Sequence, residues 1–352
     1  EYDLGFFLPN GSAYLEKAMI NRTSGLVENT LAYKKTLNKH NFDVLAGVTF
    51  QNFKIDEIRA RTSQLTEPYV PTLSNGNGTK TVSEFINKNS IFSLLGRFNY
   101  NYADKYFITA NIRRDGSSKF PEDNRYAVFP SVAVAWKIHN EFQLPEFINE
   151  LKIRGGWGKL GNQSIPNYAF QPTLNSNITY AFDDIRVFGS AAISTVDPNL
   201  QWEERSSGNI ALDARVFNDF DFTVEYYSNK GEDILVNVNI PLTVGSLPAT
   251  IFTNAGSIKN TGFEFSLNYR KSIGDLYLEV SPNFYTVKNE VLAISDGSPT
   301  LDDLGARTVV GGALGRHYGW VYDGIFQSVE EVNNHAFQNG GTGPGDIRFK
   351  DL

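Results

Sequence analysis

The chain has 352 residues, 13% of them aromatic (26 Phe, 17 Tyr, 4 Trp), with 30 Gly, 14 Pro, one Met, no Cys and a formal net charge of -7. The lack of Cys excludes disulfides and thiolate metal sites, and the four His residues (His40, His139, His317, His335) are scattered near turns or in loops, so no metal cluster is expected. The mild acidic balance argues against a nucleic-acid partner, and no apolar run of about 18 residues offers a transmembrane helix.

After an irregular opening with Pro9, Asn10 and Gly11, the pattern predicts a strand over Leu26 to Leu37, where Leu31, Tyr33 and Leu37 oppose Thr30, Lys34 and Thr36. Phe42 to Phe53 follows, with Phe42, Val44, Ala46, Val48 and Phe50 on one side and Asp43, Thr49 and Gln51 on the other. Arg61 to Asn89, rich in Thr, Ser, Asn, Gly and Pro, reads as a long surface loop. Ser90 to Tyr102 and Tyr106 to Arg114 are joined by Ala103, Asp104 and Lys105, and a polar excursion runs from Asp115 to Asn124. Val128 to Ile138 and Leu151 to Gly158 flank a connection through Pro145. A second long loop spans Gly161 to Glu204. Asn209 to Val216 then pairs with Phe220 to Tyr227, which continues toward Val238, and Gly262 to Arg270 pairs with Leu276 to Val287. From Ser295 onward the pattern dissolves into Gly-rich and Asp-rich sequence.

Two features recur through all of these segments. One side of each strand is apolar, and Phe92, Leu94, Phe98, Val132, Val134, Phe263, Phe265 and Leu267 are expected together on the convex face of one curved antiparallel sheet. The other side is polar and charged: Arg97, Asn99, Asn111, Arg113, Lys152, Arg154, Asp213, Arg215, Glu225, Glu264, Asn268, Arg270 and Glu279. Charges inside a small barrel have to pair or bear desolvation, whereas a large lumen filled by water or a plug accommodates them. Short turns (around 38 to 41, 103 to 105, 217 to 219 and 272 to 274) also alternate with long loops. The reading is all-β: an antiparallel transmembrane β-barrel, partial, with about ten strands of a larger one. The whole chain, 1–352, reads as a single partial barrel domain without a plug or final strands. Both ends look like cuts, any export signal has been lost or lies upstream, and Glu1 and Leu352 are expected on the same, extracellular side.

Enzyme signatures are missing. Gly156, Gly158 and Gly161 form a G-x-G-x-x-G, but Asn162 to Pro166 opens no helix, so a dinucleotide site is not supported. Glu203 with Glu204, and Asp302 with Asp303, are adjacent pairs; where such neighbours lie on a strand they point to opposite faces and make poor acid/base pairs. No catalytic residue, metal or cofactor is assigned.

Seven phrases, in order, resemble the SusC/RagA family, the TonB-dependent outer-membrane transporters of Bacteroidetes. They are Ser93 to Tyr100 (SLLGRFNY), Arg113 to Phe120 (RRDGSSKF), Leu160 to Gln163 (LGNQ), Asp197 to Glu203 (DPNLQWE), Asn254 to Phe263 (NAGSIKNTGF), Tyr322 to Ser328 (YDGIFQS) and Gly345 to Leu352 (GDIRFKDL). The resemblance implies a plugged barrel of roughly 22 strands, of which this chain matches a central part. It also implies import of nutrient oligomers, glycans or peptides, a SusD-like surface lipoprotein as lid, and energy from TonB, ExbB and ExbD through a region not matched here.

Candidate residues follow. Arg97, Arg113, Arg154, Glu225, Glu264 and Arg270 are expected to face the lumen. Asp115, Gly116, Ser117 and Ser118 suit a turn. Trp202, after the turn at Asp197 to Leu200, reads as a girdle or loop-packing residue, with a sugar platform as the alternative. Tyr318, Trp320, Tyr322 and Asp323 cluster in a predicted outer loop, where aromatic rings and a carboxylate suit a sugar; loop packing or contact with a lid is the competing reading. A passive porin-like channel and a soluble all-β carbohydrate-binding domain remain alternatives to active transport. The chain on its own is not expected to form a closed pore, because an open sheet leaves two unpaired edges.

Overall fold

The computed structural model describes residues 14–65, 72–183, 185–246, 248–294, 300–303 and 305–350. The opening at Pro9 and the termini Glu1 and Leu352 lie outside them.

The strands in chain order are β1 (Tyr14–Leu37), β2 (His40–Ser63), β3 (Thr81–Tyr102), β4 (Tyr106–Ser117), β5 (Tyr126–Lys137), β6 (Ile148–Asn162), β7 (Leu174–Phe182), β8 (Ile185–Ala192), β9 (Glu203–Val216), β10 (Phe220–Glu232), β11 (Leu235–Asn239) and β12 (Thr250–Asn254). Then come β13 (Ser257–Ile273), β14 (Leu276–Val280), β15 (Asn283–Tyr285), β16 (Lys288–Ala293), β17 (Thr300–Asp303), β18 (Ala306–Val309), β19 (Arg316–His317) and β20 (Tyr322–Ile325). A short helix α1 (Val329–Asn334), which the pattern did not announce, precedes β21 (Ile347–Phe349). Among the described residues the largest sheet has twelve strands, in the order β1-β2-β3-β4-β5-β6-β9-β10-β13-β14, with β15 and β16 also on β13. All of its pairings are antiparallel. No helix among the described residues is long and apolar enough to cross a membrane, which says nothing against crossing with strands.

Register places the expected apolar residues on one face. Tyr100 lies opposite Ile108, Ile108 opposite Val134, Val134 opposite Gly155, Gly155 opposite Ile210, Ile210 opposite Tyr226 and Tyr226 opposite Phe263. Phe92, Leu94, Phe98, Val132, Val134, Phe263 and Phe265 are 37% to 56% exposed, and Leu267 is half-buried. A sandwich would bury these side chains against a second sheet. Here they are left to the hydrocarbon of a bilayer, which sets aside the soluble-domain alternative.

The band has visible limits. Toward the short turns, Tyr102, Tyr106, Trp136 and Phe142 touch in sequence, with ring centroids 6.4, 6.2 and 6.1 Å apart. Glu141 accepts from the Tyr106 hydroxyl (2.5 Å) and the Trp136 indole N–H (2.9 Å), so the rings keep polar tips as interfacial aromatics do. On the other side the face turns wet after Phe50 and Phe92: Asn52 lies opposite Ser90 and Lys54 opposite Lys88. Tyr102 lies ten residue steps beyond Phe92. At ~3.3 Å per residue and a tilt of ~40°, they cover about 25 Å along the membrane normal, the height of an outer-membrane apolar band.

Several boundaries differ from expectation. β2 and β3 run on to Ser63 and back to Thr81, so the loop expected over Arg61 to Asn89 shrinks to 64–80. Beyond the band both faces are wet and the two-residue alternation disappears, although the backbone ladder continues. Asp115, Gly116 and Ser117, expected in a turn, end β4. β10 stops at Glu232, and Leu235–Asn239 leaves the wall to pair with Thr250–Asn254. The strand expected over Leu276 to Val287 breaks into β14 and β15 around Pro282, which has no N–H to offer β13. The loop expected over Gly161 to Glu204 carries the β7–β8 hairpin.

The short turns use left-handed backbone. Ala103 and Asp104 have φ of 52° and 57°, and Phe217 and Asn218 have 54° and 59°, the positive pair that a type I′ turn requires. Turns at this end are 38–39, 103–105, 138–147, 217–219 and 274–275; the other end carries 64–80, 118–125, 163–202 and 233–256.

Candidate functional site

The polar face carries several hydrogen-bonded clusters of charged side chains, since every second residue of each strand reaches it. Arg154 on β6 donates from Nε to Asp213 (3.0 Å) and pairs through its terminal nitrogen with Glu225 (2.8 Å); Lys152 lies 3.5 Å from the same Asp213. Thr223 adds a hydroxyl bond to Asp213 (2.9 Å), and Asn209 donates to Glu225 (2.7 Å). Nearer the short turns, Arg215 bridges Asp221 (2.6 Å) and Glu150 (2.7 Å), and Arg270 takes the other oxygen of Asp221. On β3 and β4, Arg97 donates to Asn111 (2.9 Å), while Arg113 donates to both oxygens of Asp115 (2.7 and 2.9 Å) and to Ser93 (3.0 Å). Glu264 sits directly opposite Glu225 in the register. Among the described residues no side chain hydrogen-bonds or ion-pairs with the Glu264 carboxylate, and Arg154 lines the same depression. Two adjoining depressions of about 460 and 610 Å³ meet at Glu225 and Glu264; Arg154, Phe265, Phe284 and Val287 line them together with Asn, Ser, Thr and Tyr side chains.

At the long-loop end the same face carries a hydrophobic cluster. Phe129 lies opposite Arg113 in the register, and Phe120, Ile165, Leu200 and Trp202 close over it. The Trp202 ring stands 5.1 Å from Phe120 and 5.5 Å from Phe129, and its indole N–H donates to the carbonyl of Arg125 (3.0 Å). A Cβ on Gly161 would come within 2.1 Å of the Phe129 ring, so only glycine fits under it. Lys119 donates to the carbonyls of Ile165 (2.8 Å) and Gln163 (3.3 Å), and burial lowers its pKa from the usual lysine value. The buried Glu203 accepts from Arg205 (2.8 Å), Asn162 (3.1 Å) and the Leu235 amide (3.2 Å). Asn254 accepts from the Gln201 amide (2.8 Å) and donates to the carbonyls of Gln201 (2.9 Å) and Asp233 (2.8 Å). Thr253 reaches Asp197 at 2.6 Å. Three long loops, 118–125, 163–202 and 233–256, are thereby one block.

Trp202 is therefore a core residue with 6% of its surface exposed, and no ring face is left for a sugar. The other aromatic candidates stand apart from the block. The Arg307 guanidinium covers the Tyr318 ring at 3.6 Å, and Trp320 is 81% exposed beside Phe349. Tyr322 is exposed on β20, and the Asp323 carboxylate is taken by Arg348 (3.1 Å). Asp302 and Asp303 lie on β17, opposite Arg307 and Ala306. Among the described residues no group of three His, Cys, Asp or Glu is placed to hold a metal. The nucleotide-like glycines Gly156, Gly158 and Gly161 are all within β6.

Reading the sequence missed the convergence. Arg113 to Phe120, Leu160 to Gln163, Asp197 to Glu203 and the start of Asn254 to Phe263 appear as separate turns along the chain, yet their side chains meet in this one block. Each phrase mixes an aromatic or Leu residue with Asp, Asn or Glu, and that mixture was the available signal.

The model of the family described as "TonB dependent receptor-like, beta-barrel" matches residues 2–339. TonB-dependent receptor P3 of Formosa agariphila is 32% identical over 94% of this chain and 34% of its own length. TonB-dependent receptor SusC of Bacteroides thetaiotaomicron is 32% identical over 75% of this chain and 27% of its own length. Among solved structures, the RagAB peptide transporter superposes with a TM-score of 0.80 at 27% identity, over 89% of this chain and 35% of that one. The chain thus spans about a third or less of the length of the relatives it matches. A lipid-facing band, an antiparallel wall with short and long ends, and loop phrases gathered at one rim agree with those matches, and the chain belongs to the TonB-dependent receptor β-barrel family of the outer membrane, on its SusC/RagA side.

Proposed function

We propose that this chain forms about half of the wall of an importer that moves nutrient oligomers across the outer membrane, energised through TonB with ExbB and ExbD and capped by a SusD-like surface lipoprotein. The observation that carries the reading is the two-faced sheet: an uncovered apolar band outside, and inside it the ion clusters of Arg154, Asp213, Glu225, Arg215, Asp221 and Arg270. Such clusters are stable where water or a polar occupant fills the lumen. Family membership favours active import over passive diffusion. Arg97, Arg113, Arg154, Glu225, Glu264 and Arg270 line the pathway on this reading, and Tyr318, Trp320, Tyr322 and Asp323 meet either substrate or lid.

The cargo is an oligosaccharide or a peptide. The likeness to a peptide transporter and the unpaired Glu264 beside Glu225, which suits an amine or guanidinium, favour a peptide. The test is uptake by cells expressing the complete transporter with a SusD-like lipoprotein, with and without TonB. Labelled oligosaccharides and peptides are offered separately, and Glu264→Gln should slow Lys- and Arg-containing peptides selectively. TonB-independent entry that follows solute size alone would replace the importer with a passive channel.

A further inference from the structure

The hydrophobic cluster lies on the wrong side of the wall for a protein whose apolar face is turned to lipid. It forms because the loop after β6 folds inward. Asn167 on that loop is held between Asn87 and Asn89 of β3: Asn89 donates to it at 3.1 Å, and it donates in turn to Asn87. Both β3 residues alternate in step with Ser93 and Arg97, so both belong to the polar face. To reach them the chain moves three strand spacings sideways past β5 and β4, about 14 Å, and also rises beyond the end of β4, whose last residue Ser117 lies opposite Ile91; the five residues after Asn162 extend to about 17 Å, and the Asn side chains bridge the remainder. The crossing is nearly taut. On this side of the wall Ser93 and Ser117 are completely buried, whereas on the polar face of β10 and β13 Asp221, Thr223 and Glu225 are partly exposed and Glu264, Ser266 and Arg270 are exposed.

Nothing in this segment resembles a loop poised to swing. Ile165 is sunk in the cluster, Ala169 and Phe170 pack on its margin, and Lys119 ties the Gln163 and Ile165 carbonyls from the next loop. Thr173 closes the strap by bonding with Ile193 and Ser194, so that the β7–β8 hairpin hangs off beyond it.

We propose that residues 163–172 are a fixed strap across the lumen side of β3–β5, and that this strap sets the size limit of the pathway at its long-loop mouth. The inference rests on the reading above that the polar face lines a transport pathway. A strap that is already latched narrows the mouth without taking part in gating, so cargo passes over the more exposed part of the face, along β10 and β13.

The complete transporter, produced in the outer membrane with its lipoprotein, tests this. This chain has no Cys, so once any Cys elsewhere in the complete transporter is replaced by Ser, Asn89→Cys with Asn167→Cys introduces one pair, and each single variant is the control. Oxidation of the pair should leave cargo uptake within about twofold of the reduced protein, because a segment that does not move cannot limit turnover. Leu200→Ala and the milder Asn167→Ala should extend TonB-dependent uptake to labelled oligomers longer than the parent protein accepts, with uptake of the shortest ones unchanged and folding checked by heat-modifiable migration. Uptake lost on oxidation and restored by dithiothreitol would show that the strap must open, and would overturn the proposal. So would an unchanged length limit in both loosened variants that still fold and import the shortest oligomers. If the parent protein imports no oligomer of any length, the importer reading fails, and the strap proposal falls with it.

Discussion

The wall and the loop block at its rim are stabilised in opposite ways. In the wall, Val132, Val134 and Phe265 are a third to a half exposed, and cohesion comes from long antiparallel ladders such as the unbroken register of β2 with β3 from His40 to Arg61. Its apolar contacts are completed by lipid. In the block, Phe120, Leu200 and Trp202 are buried against one another, and the backbone is irregular and bonded by side chains such as Asn254 and Lys119. A small core of this kind lets loops keep one shape in water, where no membrane supports them. The difference teaches that position along the strand axis decides which solvent, hydrocarbon or water, a segment must satisfy.

The strongest way to break the comparison is Trp202→Ala. Loss of a buried Trp costs about 3–5 kcal/mol, and here the loss should fall on the block alone. Protease should then cut within 163–202 and 233–256 in outer-membrane vesicles while the wall keeps its heat-modifiable migration. Simultaneous collapse of both would show that they are one cooperative unit.

Next in size is Val134→Arg on the lipid face, expected to destabilise assembly by about 2–4 kcal/mol if it lies near the bilayer midplane. Asn209→Arg, on the polar face beside Glu225, should be tolerated. Urea titrations of the protein folded into liposomes compare the two, and equal losses would contradict the assignment of faces.

Asn254→Ala probes the hydrogen-bonded half of the block. It strands the Gln201 amide and carbonyl, at a cost of about 1–3 kcal/mol, and should speed amide exchange around Gln201 without touching exchange in β9.

The smallest effect is a pH dependence at the short-turn rim. The Tyr106 hydroxyl holds the Glu141 carboxyl below its usual range, and the Trp136 indole adds to this. A carboxyl depressed in the folded state contributes its stability above its ordinary pKa and loses it as pH falls through the lowered one. Tyr106→Phe should flatten this acid-side slope in denaturation measured from mildly acidic to strongly acidic pH; an unchanged slope would remove Glu141 from the account.

Within the apolar band the sequence alone determined the wall. A two-residue period with one lipid-facing side leaves little choice of register, so the faces of Phe98, Val134 and Phe265, and of Arg97, Arg154 and Glu225, could be read before any coordinates. Short turns were legible too, because Ala103 to Lys105 and Phe217 to Asp219 separate clear alternations. The extensions of β2 and β3 past the band were not legible, since with water on both sides any polar residue serves and periodicity carries no signal. Only the tertiary structure decided what the loops do. Trp202 as a sugar platform and Trp202 as a core residue are the same letter in the sequence; Phe120, Phe129 and Leu200, up to 82 residues away, make it a core residue. The fold of the strap likewise depends on Asn167 meeting Asn87 and Asn89 across 80 and 78 residues, a contact that no local propensity encodes.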